Sequence, residues 1–135
     1  MESANMGTWG VENFENDDAL DWVLDLEKAK DESVLVEAFD QFEKGDEEDP
    51  AGAGDCALAA AEVVAALKGN PPEDCPEEVS TWIKGRPAPP TAIVEQARRV
   101  TQQILEKSET RDLWAESEYF DAWQKTIGDL LQRLE

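Results

Sequence analysis

The run Cys56-Ala-Leu-Ala-Ala-Ala-Glu62-Val-Val-Ala-Ala-Leu67 is apolar at every position except Glu62. Wound as a helix it spans roughly 18 Å at about 1.5 Å per residue, and a helix with no polar stripe has to be covered on all sides. Alanine is the best helix former, and its small side chain lets neighbouring helices approach closely. The run therefore predicts an all-α, single-domain, irregular bundle of about six helices wrapped around a central Ala-rich helix at 57–67. Within that helix a buried carboxylate must be hydrogen-bonded, paired or protonated. Glu62 thus admits three readings. It faces a loop or solvent channel, or it is a structural hub accepting from backbone N–H groups, an indole or an arginine such as Arg98 or Arg99, or it is a functional acid.

Charge narrows the function classes. The chain carries 12 basic and 32 acidic residues, a net charge of -20, and no histidine. Histidine-based catalysis, histidine metal ligation and a histidine pH switch are excluded, and direct binding to nucleic acid or to an anionic membrane surface is disfavoured. Residues 12–49 hold 16 acids against 3 bases, whereas residues 86–135 hold 9 against 7. That asymmetry favours a basic protein partner. Cys56 and Cys75 have neither metal nor redox spacing, and they read as free small hydrophobes rather than as a disulfide. No apolar run approaches a membrane span and the opening residues lack a signal peptide's basic and apolar regions, so a cytoplasmic location is expected. No catalytic residue, cofactor or metal is called for.

Along the chain, residues 1–5 read as a disordered extension and 6–135 as one helical domain. Trp9, between Gly7 and Gly10, is expected to plug the core. Asn16 or Asp17 caps a helix at 17–27 whose Ala19, Trp22, Val23 and Leu26 share one face, widened by Leu20 and Leu24, with Asp18, Asp21 and Asp25 on a solvated flank. A second helix at 33–43 buries Leu35, Ala38, Phe39 and Phe42, carries Glu37, Asp40 and Glu43 on its polar side, and stops at Lys44-Gly45. Asp46, Glu47, Glu48 and Asp49 continue this acidic face, Ala51 to Gly54 supply a flexible lead-in, and Asp55 caps the central helix. Proline punctuation leaves a short helix at 76–84 whose Val79, Trp82 and Ile83 form a lid over the central helix. A helix at 90–107 follows, then a turn near Ser108, a short helix with Leu113 and Trp114, and a last helix capped by Ser117. Its Phe120, Trp123, Ile127, Leu130 and Leu134 recur in steps of three and four, as tertiary packing rather than a homodimer seam. Gly128 implies a close helix crossing.

Met6-Gly-Thr-Trp9-Gly10, the stretch from Asn13 to Trp22, the Ala-rich run, and the tail with Ser108, Leu113, Trp114 and Trp123 together resemble DUF4259, a bacterial family of unknown function. The resemblance covers essentially residues 6–134. It implies that the stretch matching Asn13 to Trp22 and the acid matching Glu62 are recurrent features, and that the Trp9 segment packs near them. It implies no activity. The acid-dense residues 40–49 depart from the family pattern.

Two function classes stay open. One is an acidic protein-binding module, for example an inhibitor or immunity-like protein acting on a basic partner through Glu37, Asp40, Glu43, Asp46, Glu47, Glu48 and Asp49, as monomer or homodimer. The other is a small-ligand protein or enzyme with a pocket formed by Trp9, Asp18, Trp22, Glu62 and Trp82, whose aromatic walls and interior acid suit a cationic or hydroxylated ligand.

Overall fold

A computed structural model describes residues 10–45 and 50–135. The expectations for residues 1–5, for Trp9 and for Asp46 to Asp49 lie outside the described residues. The chain forms seven helices among those described: α1 (Asp17–Lys28), α2 (Ser33–Lys44), α3 (Pro50–Leu67), α4 (Glu77–Ile83), α5 (Thr91–Glu106), α6 (Glu109–Ala115) and α7 (Phe120–Leu134), with no strand. α3 is the axis, and each of the other six packs against it. Every residue from Ala57 to Ala66 is buried. The all-α bundle around an Ala-rich centre is therefore the fold.

The central helix begins six residues earlier than its apolar run suggests. Ala51 to Gly54 form its opening turns rather than a flexible lead-in, and Asp55 lies inside the helix instead of capping it. Burial explains the override of glycine's poor propensity. Gly54 sits so close to α6 that a Cβ there would collide with the Thr110 hydroxyl, which itself donates to the Ala51 carbonyl at 3.2 Å. Only a residue without a side chain permits this crossing. Gly128, by contrast, is exposed on α7 with open space where a Cβ would stand, so no helix crosses closely there.

The termini of the other helices follow their local chemistry. The Asn16 side chain caps α1 by accepting from the Ala19 N–H at 2.8 Å, and Ser108 caps α6 by accepting from Arg111 N–H at 2.9 Å. Gly45 ends α2 in the left-handed region at φ 70°. Ser117 does not cap α7; its hydroxyl donates to the Trp114 carbonyl at 2.8 Å and accepts from the Tyr119 N–H at 3.1 Å, bracing the turn between α6 and α7.

α3 has the length and apolarity of a membrane-crossing helix, although its sequence interrupts the run with Asp55 and Glu62, and 67% of it is buried inside the fold. Its apolar surface covers its neighbours. The stripe on α7 does likewise: Trp123, Ile127, Leu130 and Leu134 are all in the core, with the Trp123 ring stacked between Trp114 and Phe120 at centroid distances of 6.4 and 6.0 Å. Both cysteines are free.

Candidate functional site

Glu62 lies on the buried helix with 1% of its surface exposed, and two distant parts of the chain converge on it. Arg133, in the last turn of α7, donates from Nη1 to Glu62 Oε1 at 2.7 Å and from Nη2 to Oε2 at 3.1 Å. Asn13, in the turn before α1, donates from Nδ2 to Oε2 at 2.7 Å. A planar guanidinium matches a carboxylate's two oxygens, which gives the pair both charge balance and fixed geometry. Arg133 is further held by Asp129, whose Oδ2 accepts from Nε at 2.7 Å, and by the Asn70 carbonyl at 3.3 Å. Asn70 returns a bond to the Arg133 carbonyl at 3.1 Å, and the Lys68 ammonium donates to the Leu134 carbonyl at 2.6 Å. Burial opposes the Arg133 charge, but the bonds and attraction from Glu62 and Asp129 outweigh it and hold the guanidinium above its usual pKa.

Of the three readings of Glu62, the hub describes this geometry, with a different arginine from those anticipated. Arg99 instead pairs with Glu43 at 2.9 Å, and Arg98 is exposed. Arg133 was legible in part, since it follows Leu130 by three positions and precedes Leu134, at the edge of the buried stripe of α7. With three bonds accepted from Arg133 and Asn13 and 1% of its surface exposed, the Glu62 carboxylate faces protein groups rather than solvent. Glu12, beside this network, has its pKa raised by burial first and then by repulsion from Glu15 and Glu62, against a bond from the Thr126 hydroxyl at 3.4 Å and attraction from Arg133.

Of the other residues proposed for a pocket, Trp22 and Trp82 both belong to the buried core, whereas Asp18 is exposed on α1. Trp82 donates its indole N–H to the Ala29 carbonyl at 3.2 Å, with the Arg86 guanidinium 3.7 Å over its ring, and so ties α4 to the chain after α1. It also edges a groove of about 360 Å³ whose other walls are Glu27, Glu77, Glu78 and Thr81. A distinct cavity of about 50 Å³ lies between the Val11 to Asn16 turn and helices α3, α6 and α7, with Asn13, Thr110, Trp114 and Trp123 among its walls.

The acidic faces differ from each other. On α2, Glu37 is exposed, but Asp40 accepts from Gln96 at 2.8 Å and Glu43 accepts from Gln96 at 2.9 Å and from Arg99, which fastens α2 to α5. On α1, Asp17, Asp21 and Asp25 are exposed and their side chains form no ion pair or hydrogen bond among the described residues. Burial, then Asp18, Asp55, Asp25 and Asp21, push the Cys56 thiol up to about 12. Among the described residues no three acids or cysteines are grouped to hold a metal ion.

Fold and site together define a small acidic helical domain with a neutralised interior acid and a carboxylate-rich exterior. The chain belongs to the DUF4259 family, whose model, described as a domain of unknown function, matches residues 7–126. No curated protein and no solved structure matches it.

Proposed function

We propose that the protein is an acidic protein-binding module of the cytoplasm, an inhibitor or immunity-like protein that acts on a basic partner. The observation that carries this reading is the division of labour among its acids. Among the described residues the one carboxylate buried in the core accepts three bonds from Arg133 and Asn13, whereas Asp17, Asp21 and Asp25 are exposed on α1 without ion pairs. Carboxylates held at the surface on a rigid helix steer a cationic protein and add specificity to its docking. The small-ligand reading has less support. The cavity of about 50 Å³ beside Asn13 falls well short of the roughly 300–1,000 Å³ of a ligand pocket, and the groove of about 360 Å³ at Trp82 has neither Glu62 nor Trp22 nor Asp18 among its walls.

Affinity capture from the host's lysate at low and high salt, with each retained protein then purified and titrated against the chain, tests the proposal. A basic protein that is released by salt and re-forms a stoichiometric complex is the expected result. Capture of nothing at low salt, or of partners whose affinity ignores ionic strength, overturns it.

A further inference from the structure

The outer face of α1 carries an apolar feature that the acidic character of the chain does not explain. Leu20 and Leu24 are 38% and 54% exposed, while Ala19, Trp22, Val23 and Leu26 take the core side. Being four residues apart, the leucines lie about 6 Å apart along the axis on one face of the helix. At about 100° per residue, Asp17, Asp21 and Asp25 fall on one side of this pair, together with Lys28, and Glu27 falls on the other. Glu27 is also a wall of the groove of about 360 Å³ that runs on to Glu77 and Glu78 of α4. An apolar stripe one helix wide, with carboxylates on both flanks, is thus presented on a helix whose other side is fixed in the core.

We infer that Leu20 and Leu24, set between Asp17, Asp21 and Asp25 on one flank and the Glu27–Glu77–Glu78 groove on the other, form the docking surface for a basic amphipathic helix of a partner protein. This rests on the reading of the chain as a binder of basic proteins and names the surface and the chemistry recognised. The i, i+4 leucines receive the apolar stripe of the incoming helix, in the manner of helix-to-helix packing. Lysine or arginine on the two edges of that helix meets the two rows of carboxylates, and the groove has room for one long cationic side chain. A second copy of this chain is a poor occupant, because it brings the same carboxylates to the contact. The face on α2 offers less, since two of its three acids, Asp40 and Glu43, are already taken up by Gln96 and Arg99 and only Glu37 is left exposed.

The test is a titration of the full ¹⁵N-labelled chain with an 18-residue Lys/Leu peptide whose leucines share one helical face, and with a scrambled peptide of the same composition. The expected result is amide shifts concentrated on residues 17–28 and on Glu77 and Glu78, with the amphipathic peptide bound at least tenfold more tightly than the scrambled one. Leu20→Ser with Leu24→Ser lowers that affinity about tenfold with an unchanged circular dichroism spectrum, and Asp17→Asn with Asp21→Asn flattens its salt dependence. Equal binding of both peptides, with shifts spread over the acidic surface, removes the α1 surface and leaves the acidic binder standing. Absence of binding of either peptide at low salt removes both. Shifts on α1 that depend on protein concentration without peptide assign the face to self-association and overturn the inference.

Discussion

Arg133 grips Glu62 through two nitrogens, at 2.7 and 3.1 Å, across a sequence separation of 71 residues. The pair joins the middle of the buried axis to the last turn of the last helix. With the Asn70 and Lys68 bonds around it, it laces the C-terminal ends of α3 and α7 together.

Breaking this pair from one side leaves a buried charge without a counterion. Arg133→Met should therefore cost about 3–5 kcal/mol, whereas Glu62→Gln, which keeps an acceptor for Asn13 and leaves Arg133 with Asp129, should cost about 1–3 kcal/mol. The double variant should be more stable than Arg133→Met alone, because it buries no unpaired carboxylate. Urea unfolding followed by circular dichroism measures all three. An Arg133→Met protein within 1 kcal/mol of the parent, itself about the size of one ordinary hydrogen bond, would show that the pair is not a hub.

Two glycines on helices should respond to alanine in opposite directions. Gly54→Ala drives a methyl group into the Thr110 hydroxyl and should destabilise by about 1–3 kcal/mol, with Thr110→Ala in the same chain restoring most of the loss. Gly128→Ala meets open space on an exposed helical position and should stabilise by about 0.5–1 kcal/mol. Thermal melts of the three variants check the pattern, and a stabilising Gly54→Ala would contradict the close α3–α6 crossing.

Stability should depend on pH through two glutamates of opposite sign. The Glu43 pKa lies below its usual 4.5, because Arg99 donates to it, against burial and with help from Gln96. Its contribution is present above the unfolded value and is lost as pH falls through the folded one, so Glu43→Gln should lower the melting temperature at pH 7 and not at pH 2. Glu12 lies above 4.5, through burial and then repulsion by Glu15 and Glu62. Its folded form binds the extra proton, so stability falls as pH rises through that window. Glu12→Gln should accordingly raise the melting temperature at pH 7 and leave it unchanged at pH 3. Calorimetry at these pH values decides each case.

Thiol labelling offers a direct probe of the α1 flank. With its thiol pushed up to about 12 by burial and by Asp18, Asp55, Asp25 and Asp21, native Cys56 should hold about a thousandth of the thiolate of an ordinary cysteine at pH 8, and should react slowly in proportion. Urea should restore the normal rate, and Asp21→Asn with Asp25→Asn should raise the native one. Mass spectrometry of timed alkylation, read at Cys56 with Cys75 as internal reference, provides the measurement. Fast native labelling at Cys56 would contradict its placement.

Much of the fold is legible in the sequence because helix formation and burial leave the same periodic mark. The stripes on α1, α5 and α7 and the capping side chain of Asn16 are local signals, and they place those elements within a residue or two. The start of α3 is not local. Glycine and proline in residues 50–54 argue against a helix until the contact with α6 supplies the burial that compensates. The site shows the same limit. An acid in an all-apolar helix announces that it needs partners, but its partners come from Asn13 and Arg133, brought together only by the packing of α7 on α3. Exposure of Asp40 and Glu43 likewise reads as free charge until α5 delivers Gln96 and Arg99.

The long reach of the Glu62 pair bears on how the chain is made. On a ribosome Glu62 emerges 71 residues before Arg133, which at about 5–20 residues per second leaves it without its counterion for roughly 4–14 s. Throughout that interval the Ala-rich helix would have to bury a carboxylate with Asn13 as donor but no counterion in order to dock with α1 and α2. Burial of an unpaired charge is costly, which disfavours early docking of the Ala-rich helix on α1 and α2. Pairing of the interior acid therefore waits for α7, the last helix of the bundle, to leave the ribosome.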